Sequence, residues 1–135
     1  VRRMVEQFAL PLEIVAHETV READGLAMSS RNGYLDTNQR AEAPQMNRVL
    51  RGLVDAMRTA RAPGGKPLTT DALTELERQA LAELSARGWT PDYMTVRRQR
   101  DLLVPTQAEL TGDTPLVALA AARIGTPRLL DNIEI

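Results

Sequence analysis

Along the chain, stretches in which apolar residues recur every three or four positions alternate with short runs in which they cluster or alternate singly. Val1, Met4, Val5 and Phe8 share one face of a helix over residues 1–9. Pro11 ends that pattern, and Leu12 to Ala16 (LEIVA) form a short, mostly apolar run of the kind a buried strand uses. A helix followed by such a strand reads as the tail of an α/β layer. The chain opens at Val1 inside this pattern, as if within something larger. Residues 17–35 then lose all periodicity, and Asp24-Gly25, Ser29-Ser30 and Asn32-Gly33 mark successive turns. A polar loop of that length is more often functional than idle.

Helical spacing returns at Asp36, which can cap through Gln39 three residues on. Met46, Val49, Leu50, Leu53 and Met57 give the buried face, with Pro44 kinking or restarting the helix. Ala62 to Leu68 (APGGKPL) reads as a flexible connection. Thr69 or Thr70 caps the next helix, Leu73, Leu76, Ala80 and Leu84 form its apolar stripe, and Gly88 is its stop. Tyr93 to Arg98 predicts a strand with Met94 and Val96 on one face. Leu116 to Ile124 and Arg128 to Ile135 flank Gly125-Thr126-Pro127 and suit antiparallel neighbours, although the alanines of the first segment equally allow a short helix. Together these patterns predict a small α+β fold, helices packed on a short antiparallel sheet, preceded by a helix and strand of another layer.

Composition narrows the function classes. At 135 residues and 43% hydrophobic, the chain can build one modest core. Its 17 basic and 18 acidic residues leave a formal charge of -1, so no global field draws it to nucleic acid or anionic lipid. The absence of cysteine excludes disulfides and thiolate metal sites and suits a reducing, cytoplasmic setting. No apolar run approaches the roughly 20 residues of a membrane helix. His17 is the only histidine, so it reads as structural rather than as a metal or acid–base site. Arg97, Arg98 and Arg100, in a chain with few aromatics, read as a salt-bridged surface strand rather than a nucleic-acid stripe. Trp89 reads as a cover for the end of the preceding helix, and Met4, Met46, Met57 and Met94 as packing.

Candidate chemistry concentrates in Thr19 to Leu35. Ser29 and Ser30 can offer hydroxyl and backbone N–H donors to phosphate oxygens, and Arg31 adds a planar cationic fork that grips two oxygens. Asp24 with Gly25 fits an Asx turn that shapes the loop. Taken as composition alone, Ser-Ser-Arg-Asn in a loop is more often a turn with a solvated arginine.

The string VREADGLAMSSRNGYL, followed by Arg40 and Ala41, resembles a segment of the pantothenate synthetases (pantoate–β-alanine ligases), and RIGTPRLLDNIEI resembles that family's closing strands. Residues 42–90 between them match only in pattern. The resemblance implies that Met28, Ser29, Ser30 and Arg31 form the counterpart of the KMSKS loop of class I aminoacyl-tRNA synthetases and contact ATP phosphates. It implies that Val20 meets the adenine through its backbone. A proline commonly precedes the threonine matching Thr19 in the family; Glu18 stands there in this chain.

The implied reaction is activation of pantoate by ATP, with magnesium, to an enzyme-bound pantoyl adenylate and pyrophosphate. The amine of β-alanine then attacks to give pantothenate and AMP. The implied layout is a Rossmann-type tail over residues 1–19, an ATP-contacting loop and junction over 20–35, and a C-terminal ATP-covering lid over 36–135. The family's His-rich signature has no counterpart in this chain, and most of the pantoate and β-alanine pocket belongs to the family's N-terminal domain. The expectation is therefore a chain inactive alone, monomeric or weakly associated, from a homodimeric parent. A rival reading is a non-catalytic accessory module that binds a protein or an RNA.

Overall fold

The computed structural model describes residues 1–135. Three helices form its helical layer. The Asp36 carboxylate accepts from the Gln39 N–H at 2.8 Å while the Gln39 side chain accepts from the Asp36 N–H at 3.0 Å, and this reciprocal cap starts α2 (Thr37–Glu42). Pro44 then opens α3 (Pro44–Arg61), a position where a missing N–H costs nothing. All five residues predicted for the buried face of α3 are buried, joined by Val54 and by Asn47. Thr69 is the cap of α4 (Thr70–Ala86), accepting from the Ala72 N–H at 3.0 Å. At its other end Gly88 adopts φ +90°, which lets the Trp89 N–H reach back to Leu84 O at 3.0 Å and the Gly88 N–H to Ser85 O at 3.0 Å. Such a glycine stop satisfies carbonyls that the helix end would otherwise orphan.

The sheet is antiparallel with order β1-β2-β3: β1 (Thr90–Arg98), β2 (Leu116–Arg123) and β3 (Arg128–Glu134). Segment 116–123 is therefore strand, not helix. It is the central strand, with nearly every residue buried, because α3 packs on it while β1 and β3 flank both its edges. Two-sided burial removes the period-2 alternation that would have marked it as a strand. Strand β1 begins earlier than its sequence pattern suggests. Pro91 is tolerated because β1 is an edge strand, and its register slips between Pro91 and Tyr93. Part of that edge is closed by α4, where Glu77 accepts the Val96 N–H at 3.0 Å. Helices and sheet share a core cluster of 21 buried residues in which Leu50, Met57, Leu84, Met94 and Val96 are almost inaccessible.

Several expectations need correction. A short helix, α1 (Arg2–Gln7), forms, but only Val5 on it is buried; Val1, Met4 and Phe8 are exposed, so Met4 does not pack. No strand forms at Leu12 to Ala16, where the backbone joins no sheet and Leu12 and Val15 are 61% and 65% exposed. A strand exists only by pairing, and nothing in this chain pairs there. His17 is exposed and makes no hydrogen bond, so it has no structural role in this fold. The basic cluster is salt-bridged in part: Arg98 binds Asp101 at 2.7 Å and Glu109 at 3.2 Å, Arg100 reaches Glu109 at 3.3 Å, and Arg97 has no acidic partner. One element was missed, α5 (Gln107–Thr111), although Thr106 and Glu109 form the same reciprocal cap as at α2. No helix is long and apolar enough to cross a membrane.

Candidate functional site

The polar loop is ordered by its own backbone first. The Glu22 N–H donates to Leu26 O at 2.8 Å and the Met28 N–H to Val20 O at 2.9 Å, so residues 20–28 form a narrow hairpin-like turn. Its tip is the expected Asx turn: Asp24 Oδ1 accepts the Leu26 N–H at 3.3 Å, and Gly25 adopts φ +93°. The Arg40 guanidinium, 2.6 Å away, holds the Asp24 carboxyl below its usual range, aided by that N–H against partial burial. Asp24 therefore stays ionised and committed to the loop.

Beyond the hairpin, Ser29 is extended and its Oγ accepts the Arg31 N–H at 3.2 Å, starting a 3₁₀ turn over Ser30–Tyr34. The Asn32 side chain donates to Ala27 O at 3.1 Å and ties this turn to the hairpin. Because Val20 O and the Met28 N–H are bonded, Val20 lies beside Met28, and the five candidate residues Val20, Met28, Ser29, Ser30 and Arg31 come together. All five are exposed. The Val20 N–H, the Ser30 N–H and the Ser30 hydroxyl have no partner in the protein. Arg31 makes only a long contact of 3.4 Å from Nη1 to Arg128 O, and no carboxylate neutralises it.

Two hollows flank these residues. One, of about 380 Å³, has Met28, Ser29 and Arg31 on one wall and Tyr93, Leu119 and Leu130 of the sheet on the other. The second, about 630 Å³ and open, is bordered by Arg31, Arg123, Arg128, Tyr34 and Thr126. Asp92 pairs with Arg128 at 2.5 Å, which leaves Arg31 and Arg123 as uncompensated cations there. A surface of free N–H and O–H donors beside free guanidiniums favours an anion with several oxygens.

Among known proteins, the family model described as pantoate-beta-alanine ligase matches residues 1–134. The chain belongs to that family. It is 53% identical over 133 residues to the pantothenate synthetase of Leptothrix cholodnii, a match covering 98% of this chain and 43% of that protein. Two crystal structures of pantothenate synthetase from Thermus thermophilus superpose with a TM-score of 0.72 at 34% identity, each covering 98% of this chain and 43% of the solved one. The chain thus spans less than half the length of these ligase-family relatives, and the small α+β fold with its three-stranded sheet is the one they contain.

Sequence reasoning missed what holds the loop in place. The Asp131 carboxylate, with its side chain 1% exposed, accepts from Arg21 Nη1 at 2.7 Å and Nη2 at 2.9 Å, from Asn47 Nδ2 at 2.9 Å and from the Asn132 N–H at 2.7 Å. Arg21 also donates to Gly25 O at 3.1 Å and to Asn132 O at 3.2 Å. Two signals were available: Asp131 stands between Leu129 and Ile133 at an inward position of β3, and Asn47 falls on the apolar face of α3. A carboxylate or amide at such a position demands partners.

Proposed function

We propose that this chain is the C-terminal, ATP-covering part of a pantothenate synthetase. Residues 1–19 serve as the tail of a nucleotide-binding Rossmann-type domain, 20–35 as the ATP-contacting loop and domain junction, and 36–135 as the lid. Family membership supports the overall reaction: ATP and pantoate give a pantoyl adenylate and pyrophosphate, and β-alanine then gives pantothenate and AMP. The observation that carries the lid role is the ordered loop that gathers Val20 and Met28 to Arg31, with unpaired donors beside an unneutralised guanidinium. The exposed Phe8, Leu12 and Val15 fit a segment that rests on a neighbouring domain.

In this reading Arg31 grips two phosphate oxygens at once, and the Ser30 N–H and hydroxyl, with Ser29, add neutral donors. These groups act where charge grows on the departing pyrophosphate. The Val20 backbone N–H meets the adenine edge. Closing the lid excludes water from the acyl adenylate. In this reading magnesium enters with the nucleotide phosphates, and no residue of this chain is assigned to hold it. Pantoate and β-alanine are bound mainly outside this chain, in a homodimeric, cytoplasmic parent.

The test is AMP formation by the full-length protein carrying this chain, with pantoate and β-alanine supplied together and singly. AMP release that requires both supports the reading. Release that ignores either substrate, or none at all, overturns it and returns the accessory-module reading.

A further inference from the structure

We propose that Asp131, backed by Asn47, is a positioning residue for the nucleotide loop, acting through Arg21; this rests on the ATP-contacting role proposed above. Arg21 immediately follows Val20, and its guanidinium is bound at four points. Two are the Asp131 oxygens, one is Gly25 O at the tip of its own hairpin, and one is Asn132 O on β3. A single side chain therefore fixes the base of the loop, its tip and the edge of the sheet relative to one another. The two-pronged contact with Asp131 sets both distance and rotation, which one charge at a point would not do.

Asn47 completes the seat from the opposite side. Its Nδ2 donates to Asp131 Oδ2, which turns its Oδ1 toward Gly25, where an added Cβ would stand only 2.9 Å from that oxygen. The tip of the hairpin is thereby pressed on α3, while Arg21 holds its base on β3. Arg40 ties the tip to α2 through Asp24. The loop is joined to all three elements, so Val20 and Ser29 to Arg31 move with the lid as one body.

The chemistry of the pair argues for placement over mere stability. A buried ion pair of this kind often adds nothing over well-packed apolar side chains of equal volume, whereas removing one partner strands the other. An apolar substitute in this place would fill the space and leave the loop free to slide along the sheet edge. The charged seat gives it one register.

The experiment uses the full-length protein with Asp131→Asn, Arg21→Lys, the Arg21→Ala and Asp131→Asn variants singly and combined, and Arg31→Ala in parallel. It reads kcat, the KM for each substrate, and thermal unfolding. Asp131→Asn is expected to raise the KM for ATP by about tenfold, the scale of one charge-assisted hydrogen bond, while the KM values for pantoate and β-alanine move less than about twofold. The Arg21→Ala and Asp131→Asn combination should cost no more than either alone, because each already releases the loop. Should Asp131→Asn fail to fold, Arg21→Lys decides: it keeps the charge but loses the two-pronged grip, and is expected to raise the KM for ATP in folded protein. A lowered melting point with an unchanged KM for ATP, while Arg31→Ala lowers kcat or raises that KM, overturns the positioning role and leaves the lid reading intact. Arg31→Ala with kcat and the KM for ATP both unchanged as well overturns both.

Discussion

Three glycines allow the forces on the loop to be separated. Gly25 has φ +93°, and a Cβ there would meet Asn47 Oδ1 at 2.9 Å. Gly64 has φ +76° but open space around it, and Gly33 has neither a positive φ nor a neighbour within 4 Å. Placing alanine in a left-handed backbone costs roughly 1–2 kcal/mol. At Gly25 the new methyl must also push an Asn47 side chain that is 4% exposed and bonded to Asp131, so its displacement weakens a buried hydrogen bond by about another 1 kcal/mol. Gly25→Ala is therefore expected to cost about 2–3 kcal/mol, Gly64→Ala about 1–2, and Gly33→Ala about zero or slightly favourable through reduced chain entropy. Urea denaturation of the three variants beside the parent reads these differences directly, with the slope checked for constancy. If Gly25→Ala costs no more than Gly64→Ala, the hairpin tip is not seated on Asn47, and the reasoning about the loop's support is wrong.

Other outcomes follow from the ion pairs and caps. The Arg87 guanidinium, with the Trp89 ring N–H, holds Glu42 below its ordinary 4.5 against partial burial. Glu109 is held down chiefly by the Thr106 N–H, and Asp101 by the Leu103 N–H. A lowered folded pKa contributes stability that is full above the unfolded value and is lost as pH falls through the folded one. Unfolding free energy should thus be level above about pH 5 and decline toward about pH 3, and Glu42→Gln should flatten part of that decline while costing about 1 kcal/mol at neutral pH. Arg61 donates to Gly112 O at 2.8 Å and Thr114 O at 2.7 Å, closing the end of α5, and Arg61→Met should destabilise by about 2 kcal/mol in the same assay. At Gly65 a Cβ would collide with Thr59 O, a backbone atom that cannot step aside, so Gly65→Ala should displace the α3 terminus and lower the melting midpoint more than Gly64→Ala does.

Legibility in the sequence followed the range of the interactions. Asp36 with Gln39, Thr69 and Gly88 act within a few residues, and each stands where the sequence puts it. The stripe of Leu73, Leu76, Ala80 and Leu84 is likewise local; Leu73, Ala80 and Leu84 are buried and Leu76 is half-buried against the core. Gly125 at φ +63° turns β2 into β3 as the Gly-Thr-Pro run suggested. What failed depended on distant neighbours: LEIVA has strand composition but no strand beside it, and LVALAAAR looks helical until two strands flank it. At the site, Ser29 to Arg31 carried weight only through the family resemblance, because three common polar residues in a turn have no specific signature. The pairing of Arg21 with Asp131 spans 110 positions, beyond any local pattern, although an inward carboxylate on β3 was itself a visible anomaly.

The most direct test of the loop's role as a phosphate grip is pantoate-dependent exchange of pyrophosphate into ATP by the full-length protein and its Arg31→Ala variant. This reaction isolates the step in which phosphate charge develops, apart from attack by β-alanine. A loss of about tenfold or more in the variant, with an unchanged melting temperature, is the expected result. Exchange at the parent's rate would contradict the assignment of Arg31, and with it the reading of residues 20–35 as the ATP-contacting loop.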